Sequence, residues 1–316
     1  MTPRLSAVVV LAVVVVAAGL VALTRAPRRR PPAPRADQRA ALASLPADAV
    51  ARGRAFHRAL RPPGYAARVL SLVVVLLLGL TPLAARIVAL VGGHWAVRAV
   101  LGGLIVVFLA GLVTLPLAGW REVVMRRYGL STRSWRGWLV DVLKGYAVGA
   151  VLGAVALLGF YAVARYTGQW WWVWAALGAA ALTVLLSFVF PVLVEPVFNK
   201  FTPMADGPLR SALLDLAARD RVPVRDVLVA DASRRTRAVN AYVSGLGPTR
   251  RIEARADAHA LALTDDPATF EAMEARLATV NLADPDPPRW EHLLFASHPA
   301  TVERMAAARA YARGQR

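Results

Sequence analysis

The sequence predicts a mainly α, polytopic helical membrane protein that ends in a small cytoplasmic α/β domain. Three observations carry that prediction. Apolar runs of bilayer-spanning length fill the first two thirds of the chain, as transmembrane helices require. Arginine is concentrated in the stretches between those runs. After Pro196 the long runs stop, and shorter patterns with helix and strand periods take over.

Across 316 residues, 57% are hydrophobic and the mean hydropathy is +0.47. An ordinary soluble domain carries more charge and fewer long apolar runs. Residues 1–24 hold the first run, from about Leu5 to Thr24. Arg4 precedes it, as in a secretory signal. Its apolar run is of span length, however, and the Arg cluster that follows acts as a stop. It is read as a retained transmembrane span.

Residues 25–68 form a basic, Pro/Arg-rich linker with eleven Arg, among them Arg28, Arg29 and Arg30, against only Asp37 and Asp48. Within it, residues 26–34 (APRRRPPAP) read as an extended segment. Residues 69–196 hold four more spans, over about Val69–Leu83, Val100–Leu117, Tyr146–Ala164 and Trp170–Val194. The first of these has an open continuation through Arg86 to Val91. Trp170, Trp171 and Trp172 are placed like an interfacial aromatic belt.

A second basic loop carries Arg121, Arg126, Arg127, Arg133, Arg136 and Lys144. Positive charge flanking apolar spans sets orientation toward the cytoplasm. Both basic loops and everything after Pro196 are therefore expected inside, in an integral protein of a plasma membrane. The formal charge of +18 is explained by this placement. No basic–aromatic binding module accompanies it, so nucleic acid is not an expected partner; the lipid bilayer is.

The tail, residues 197–316, reads as a soluble domain. Helices are expected over Gly207–Asp220, Glu253–Thr264, Pro267–Asn281 and Pro299–Arg313. Asp266 is placed to cap the helix that Pro267 opens. Val224–Ala230 (VRDVLVA) and Asn240–Leu246 (NAYVSGL) read as strands, the second ending in Gly-Pro turn chemistry. The chain has no cysteine, so any metal would be held by carboxylates and by His57, His94, His259, His292 or His298.

Five blocks then carry a resemblance. "YGLSTRSWRGWLVDVLKG" (128–145), "EPVFNKFTPMADGPLR" (195–210), "NAYVSGLG" (240–247), "EARADAHAL" (253–261) and "SHPATVERM" (297–305) resemble, in the same order, segments of the type I CAAX prenyl endopeptidases. That family consists of integral-membrane zinc metallopeptidases. The resemblance implies zinc as cofactor and a peptide or protein as substrate. It makes Glu253 the third zinc ligand, and Asp257 a residue that orients the catalytic helix. His298 and Arg304 would stand near the reacting carbonyl, and Asn240 and Ala241 on a strand that pairs with an extended substrate.

The family's other two ligands are the His residues of an H-E-x-x-H helix, where i and i+4 share one face and the Glu serves as general base. This sequence contains no H-E-x-x-H, and no two of its His residues are four apart. The family pattern places that motif and two further spans between the NAY strand and the third-ligand helix. Here Gly247-Pro248-Thr249-Arg250-Arg251-Ile252 runs straight into Glu253. The expectation is a family member deficient in hydrolysis, with no stoichiometric zinc. The alternative from another class is a non-catalytic membrane scaffold or peptide-binding remnant.

Each site residue also has a plainer reading. Glu253 and Asp257 fit a solvated helix face, His298 a helix cap, and Asn240 and Ala241 an ordinary edge strand.

Overall fold

The computed structural model of the protein describes residues 34–219, 227–231, 233–238, 261, 264–295 and 299–314. The first expected span, the NAYVSGL strand and nearly all of the expected Glu253–Thr264 helix lie outside them. The chain divides into two compact units, one of residues 58–248 and one of residues 1–57 with 249–316.

The larger unit is built from long apolar helices. Helix α2 (Ala47–Leu80) enters it, followed by α3 (Leu83–Ala89), α4 (Trp95–Arg127), α5 (Trp135–Tyr166) and α6 (Trp171–Val189). Among the described residues four helices are long and apolar enough to cross a membrane: α2, α4, α5 and the stretch Gly168–Ser187 that holds most of α6. Their apolar side chains face outward, as lipid-facing residues do: Val69, Val107 and Val155 are all at least 59% exposed.

Without water to expel, such helices associate through close backbone approach at small residues. A Cβ at Gly103 would stand 2.7 Å from Leu157, and one at Gly111 would stand 2.5 Å from the Tyr146 hydroxyl, which places α4 directly against α5. Gly102 lies in a π-helical stretch of α4, Arg98–Gly102, and packs in the same way on Val88 of α3. A second π-helical stretch, Phe190–Val194, follows α6. Pro191 there has no N–H to complete the regular ladder.

At one end of the helices, Trp95 meets Tyr166 at 5.9 Å and Arg165 at 5.8 Å, beside exposed Trp170, Trp171 and Trp172. The aromatic belt read from the sequence is thus joined by residues from α4 and α5.

The second basic loop, expected between the spans Val100–Leu117 and Tyr146–Ala164, is much shorter. Helix α4 runs on to Arg127, where Gly129 (φ +76°) takes the left-handed conformation that turns the chain out of the helix. The Leu130 amide then returns to the Met125 carbonyl at 2.9 Å. Ser134 caps α5 by accepting from the Gly137 amide at 3.0 Å. Only residues 128–134 lie between the helices.

The larger unit also takes in the first half of the tail. Strand β1 (Lys200–Pro203) pairs antiparallel with β2 (Leu228–Asp231), Phe201 opposite Ala230, and α7 (Pro208–Arg219) connects them. The partner of the expected VRDVLVA strand is therefore the Lys200–Pro203 segment, which had no strand reading in the sequence.

The smaller unit is an ordinary helical core. Helix α1 (Arg35–Ala43) and the start of α2 pack with α8 (Pro267–Val280), α9 (Arg289–Phe295) and α10 (Thr301–Gly314). Most of the stretch read as a linker is thus helical from Arg35 onward. Ala41, Leu45 and Met305 form one buried cluster with Leu42, Val50 and Ala275 around it, and Leu261, Phe270 and Ala308 form another with Tyr311. Asp37 accepts from Arg313 at 2.5 Å, and Glu271 pairs with Arg309. That bond holds the Arg309 guanidinium firmly charged. Asp266 caps α8 as expected, accepting from the Thr269 amide at 2.9 Å. Helix α9 had no counterpart among the expected helices.

Candidate functional site

A cluster of polar side chains in the larger unit surrounds the short loop between α4 and α5. Glu122, near the end of α4, is 2% exposed. Its Oε1 accepts from Arg126 Nε at 3.0 Å and from the Ser131 hydroxyl at 2.6 Å. Its Oε2 accepts from Arg133 Nη2 at 2.6 Å and Nε at 3.2 Å. A buried carboxylate with four donors is fully engaged, as burial of a charge requires. Arg126 also lies 4.2 Å from the centre of the Trp135 ring.

The network continues to Asp141 on α5. Asp141 accepts from Arg133 at 3.4 Å and from Arg235 Nη2 at 2.7 Å. Arg133 sits between two carboxylates, and the hydrogen bond to Glu122 raises its already high pKa. Arg235 reaches Asn199 Oδ1 at 3.5 Å and lies over the Phe198 ring at 5.4 Å. One turn along α5 from Asp141, Lys144 donates to the Val197 carbonyl at 3.0 Å. These contacts tie the loop, the foot of α5 and the segment after α6 together.

Backbone bonds reinforce the same junction. The Thr132 amide donates to the Arg235 carbonyl at 3.1 Å, and the Arg237 amide to the Leu130 carbonyl at 2.9 Å. The Thr132 hydroxyl donates to the Ser233 carbonyl at 2.6 Å. Residues 233–237 are held against the loop, and they immediately precede the NAYVSGL block in sequence. The arrangement can anchor the approach to residue 240.

Of the site residues named from the sequence, Asn240, Ala241, Glu253, Asp257 and His298 lie outside the described residues, as does His259. Arg304 is described and is engaged in the smaller unit. Its Nη1 donates to Glu274 Oε2 at 2.7 Å, and its guanidinium lies 5.7 Å from the Phe270 ring centre. Glu274 is 3% exposed, so Arg304 serves as counter-ion to a buried carboxylate. His292 Nε2 is 3.8 Å from Glu303 Oε2. His94 accepts from the Ala96 amide at 3.4 Å and caps α4.

Zinc at a catalytic site needs three protein ligands with an open fourth position. Among the described residues no three His, Asp or Glu side chains come together to hold a metal ion. Glu253, Asp257, His259 and His298 lie outside the described residues, and no two His are four apart in the sequence.

The family profile described as "CAAX prenyl protease N-terminal, five membrane helices" matches residues 64–200, which include the span helices and the anchored loop. Over that stretch the chain is similar to the CAAX prenyl protease family. An uncharacterized metalloprotease, YhfN, of Bacillus subtilis is 32% identical over 141 residues, covering 45% of this chain and 33% of that protein. CAAX prenyl protease 1 of Saccharomyces cerevisiae is 30% identical over 141 residues, 44% of this chain and 31% of that one. The matched stretch thus spans about a third of the length of these curated relatives. In fold, the chain is similar to the crystal structure of S. mikatae Ste24p, with a TM-score of 0.65 and 17% identity over 83% of this chain and 88% of that one. It is a polytopic helical membrane protein.

The sequence reading missed the Glu122–Asp141–Arg235 network. A signal was there. Between Asp48 and Glu195 the only acidic residues are Glu122 and Asp141, and both carry the cluster.

Proposed function

We propose that this protein is a member of the membrane zinc metalloendopeptidases that does not itself hydrolyse peptide bonds. The observation that carries the reading is the absence of any H-E-x-x-H from a chain whose other family blocks stand in order. Removing a general base alone costs about 10²–10⁴-fold in rate. Losing the metal removes the activated water as well.

A second reading has support of its own. The network around Glu122 and Asp141 fixes residues 233–237, which lead in sequence to the NAYVSGL block, and a strand reading of that block supports pairing with an extended peptide without cleavage. The protein would then act as a membrane-embedded peptide-binding scaffold.

The test is elemental analysis of purified full-length protein together with a peptidase assay. The expected result is zinc well below one per chain and no cleavage. One zinc per chain, lost in Glu253→Ala together with peptide cleavage, would overturn the proposal.

A further inference from the structure

Helices α4 and α5 run antiparallel along a line of contact. Gly103, Gly111 and Gly119 of α4 meet Leu157, Tyr146 and Trp138 of α5 in turn, and a Cβ at Gly119 would stand 4.0 Å from Trp138. The line continues to Glu122 and to Arg126, whose guanidinium lies over the Trp135 ring. About a quarter turn past this line, counted along each chain at 3.6 residues per turn, each helix carries a second stripe. On α4 it is Trp120, Val123 and Arg127, and on α5 it is Leu143, Leu139 and Arg136. Spacings of three and four residues keep each set on one face. Because the helices are antiparallel, rotations of the same sense along the two chains end on the same side of the pair. The apolar members are all at least 48% exposed, and both arginines are exposed.

Charge at this end of the helices is unevenly shared. The only acids of α4 and α5 are Glu122 and Asp141. Glu122 is taken by Arg126 and Arg133, and Asp141 by Arg133 and Arg235. Among the described residues, Arg127 and Arg136 have no side-chain partner. Arg127 closes α4, and Arg136 is the second residue of α5, so the two flank the short loop 128–134. Trp120 precedes Arg127 by two turns, about 10 Å, the order in which an interfacial aromatic and a cation follow one another out of a bilayer. Each lipid-facing stripe therefore ends on a guanidinium that the protein itself leaves unmatched.

We propose that Arg127 and Arg136 form a headgroup site for an anionic phospholipid whose acyl chains lie along the two apolar stripes. Each guanidinium can hold a pair of phosphate oxygens in bidentate fashion. Val123, Leu139 and Leu143 continue the same faces as hydrocarbon, which suits a lipid and not a free anion. Net negative charge on the lipid selects phosphatidylglycerol over zwitterionic phosphatidylcholine, because each juxtamembrane cation adds to the attraction of an anionic headgroup. The binding is independent of whether the chain cleaves peptides.

The experiment uses the full chain in detergent micelles, titrated with phosphatidylglycerol or phosphatidylcholine and read by native mass spectrometry. Wild type should retain phosphatidylglycerol preferentially, with affinity falling as salt rises. The double variant Arg127→Gln, Arg136→Gln should bind phosphatidylglycerol about thirtyfold more weakly. Arg136→Gln alone should weaken binding about fivefold, so the test does not depend on the double variant folding. Arg98→Gln with Arg165→Gln, which removes the same charge from the other end of α4 and α5, should leave affinity within about twofold of wild type. Glycerol phosphate, the headgroup anion without its tails, should not displace the lipid at equal concentration. Equal retention of the two lipids by wild type would overturn the proposal. So would unchanged affinity in both variants of Arg136, an equal loss in the Arg98 and Arg165 variant, or displacement by glycerol phosphate.

Discussion

The two units of the chain are built on opposite principles. In the smaller one, apolar side chains point inward, and Met305, Ala306 and Ala308 on α10 are buried to within 1%. Ion pairs such as Asp37–Arg313 and Glu271–Arg309 lie toward its surface. In the larger one, the long helices expose their valines and leucines, while Glu122 is buried with its counter-ions. Burial of apolar area holds the first together in water. The second relies on close helix approach at Gly102, Gly103 and Gly111 and on a satisfied polar network. A substitution of one chemical kind should therefore strike one unit and spare the other.

The largest effect is expected at Glu122. Glu122→Ala leaves Arg126 and Arg133, each about a quarter exposed, without the carboxylate between them. Removing one partner of a buried ion pair costs about 3 kcal/mol or more. Unfolding in detergent should shift by that order, and hydrogen exchange should quicken in residues 120–141 and 233–237. Exchange in α8 and α10 should stay as in wild type. If both units loosened equally, the division into separate stability principles would be wrong.

Gly53→Ala strikes the other unit by packing alone. Gly53 lies on α2 against the turn that ends α8, and an added Cβ would stand 2.3 Å from the Ala283 carbonyl oxygen. Alanine favours a helix over glycine by about 1 kcal/mol, so propensity alone would stabilise the variant. Overpacking against a backbone atom costs about 1–3 kcal/mol and should win. Exchange in α8 and α10 should quicken while α4 and α5 hold. A stabilised variant would show that α2 does not press on that turn.

What could be read in the sequence follows from the same contrast. Spans announce themselves through composition, since lipid demands apolar runs whatever the partner helix. Thus Val100–Leu117 and Tyr146–Ala164 were found, although their polar extensions to Arg127 and back to Trp135 were not. Those extensions are paid for by tertiary contacts, Glu122 with Arg133 and Asp141 with Arg235, and period analysis cannot see a pair ninety residues apart. The Pro267 helix was legible because Asp266 and Pro267 are local signals. Strand β1 was not, because KFTP carries no alternation and exists through its register with Leu228–Asp231. Helix α1 was obscured by the Arg and Pro around it, and its buried residue Ala41 is too small to mark a face. Of the candidate site, the anchoring blocks were recognised by resemblance, and Arg304 alone among the proposed site residues has described contacts. Its partner Glu274 lies thirty residues earlier, beyond any local spacing rule.

The smallest effect separates the two units by pH. Asp266 is exposed, and hydrogen bonds from Thr269, by side chain and then backbone, hold its carboxyl below the usual carboxylate range. A pKa lower in the folded than in the unfolded state means that the ionised form favours folding. That contribution is complete above the unfolded value near 4 and disappears as pH falls through the lowered folded value. Asparagine caps a helix comparably but carries no charge, so Asp266→Asn isolates the electrostatic part. Wild type should exceed Asp266→Asn slightly in stability at pH 6, and the gap should close below about pH 4. The change should be confined to exchange at the start of α8. A gap that persisted at low pH would mean that geometry rather than charge makes Asp266 the better cap.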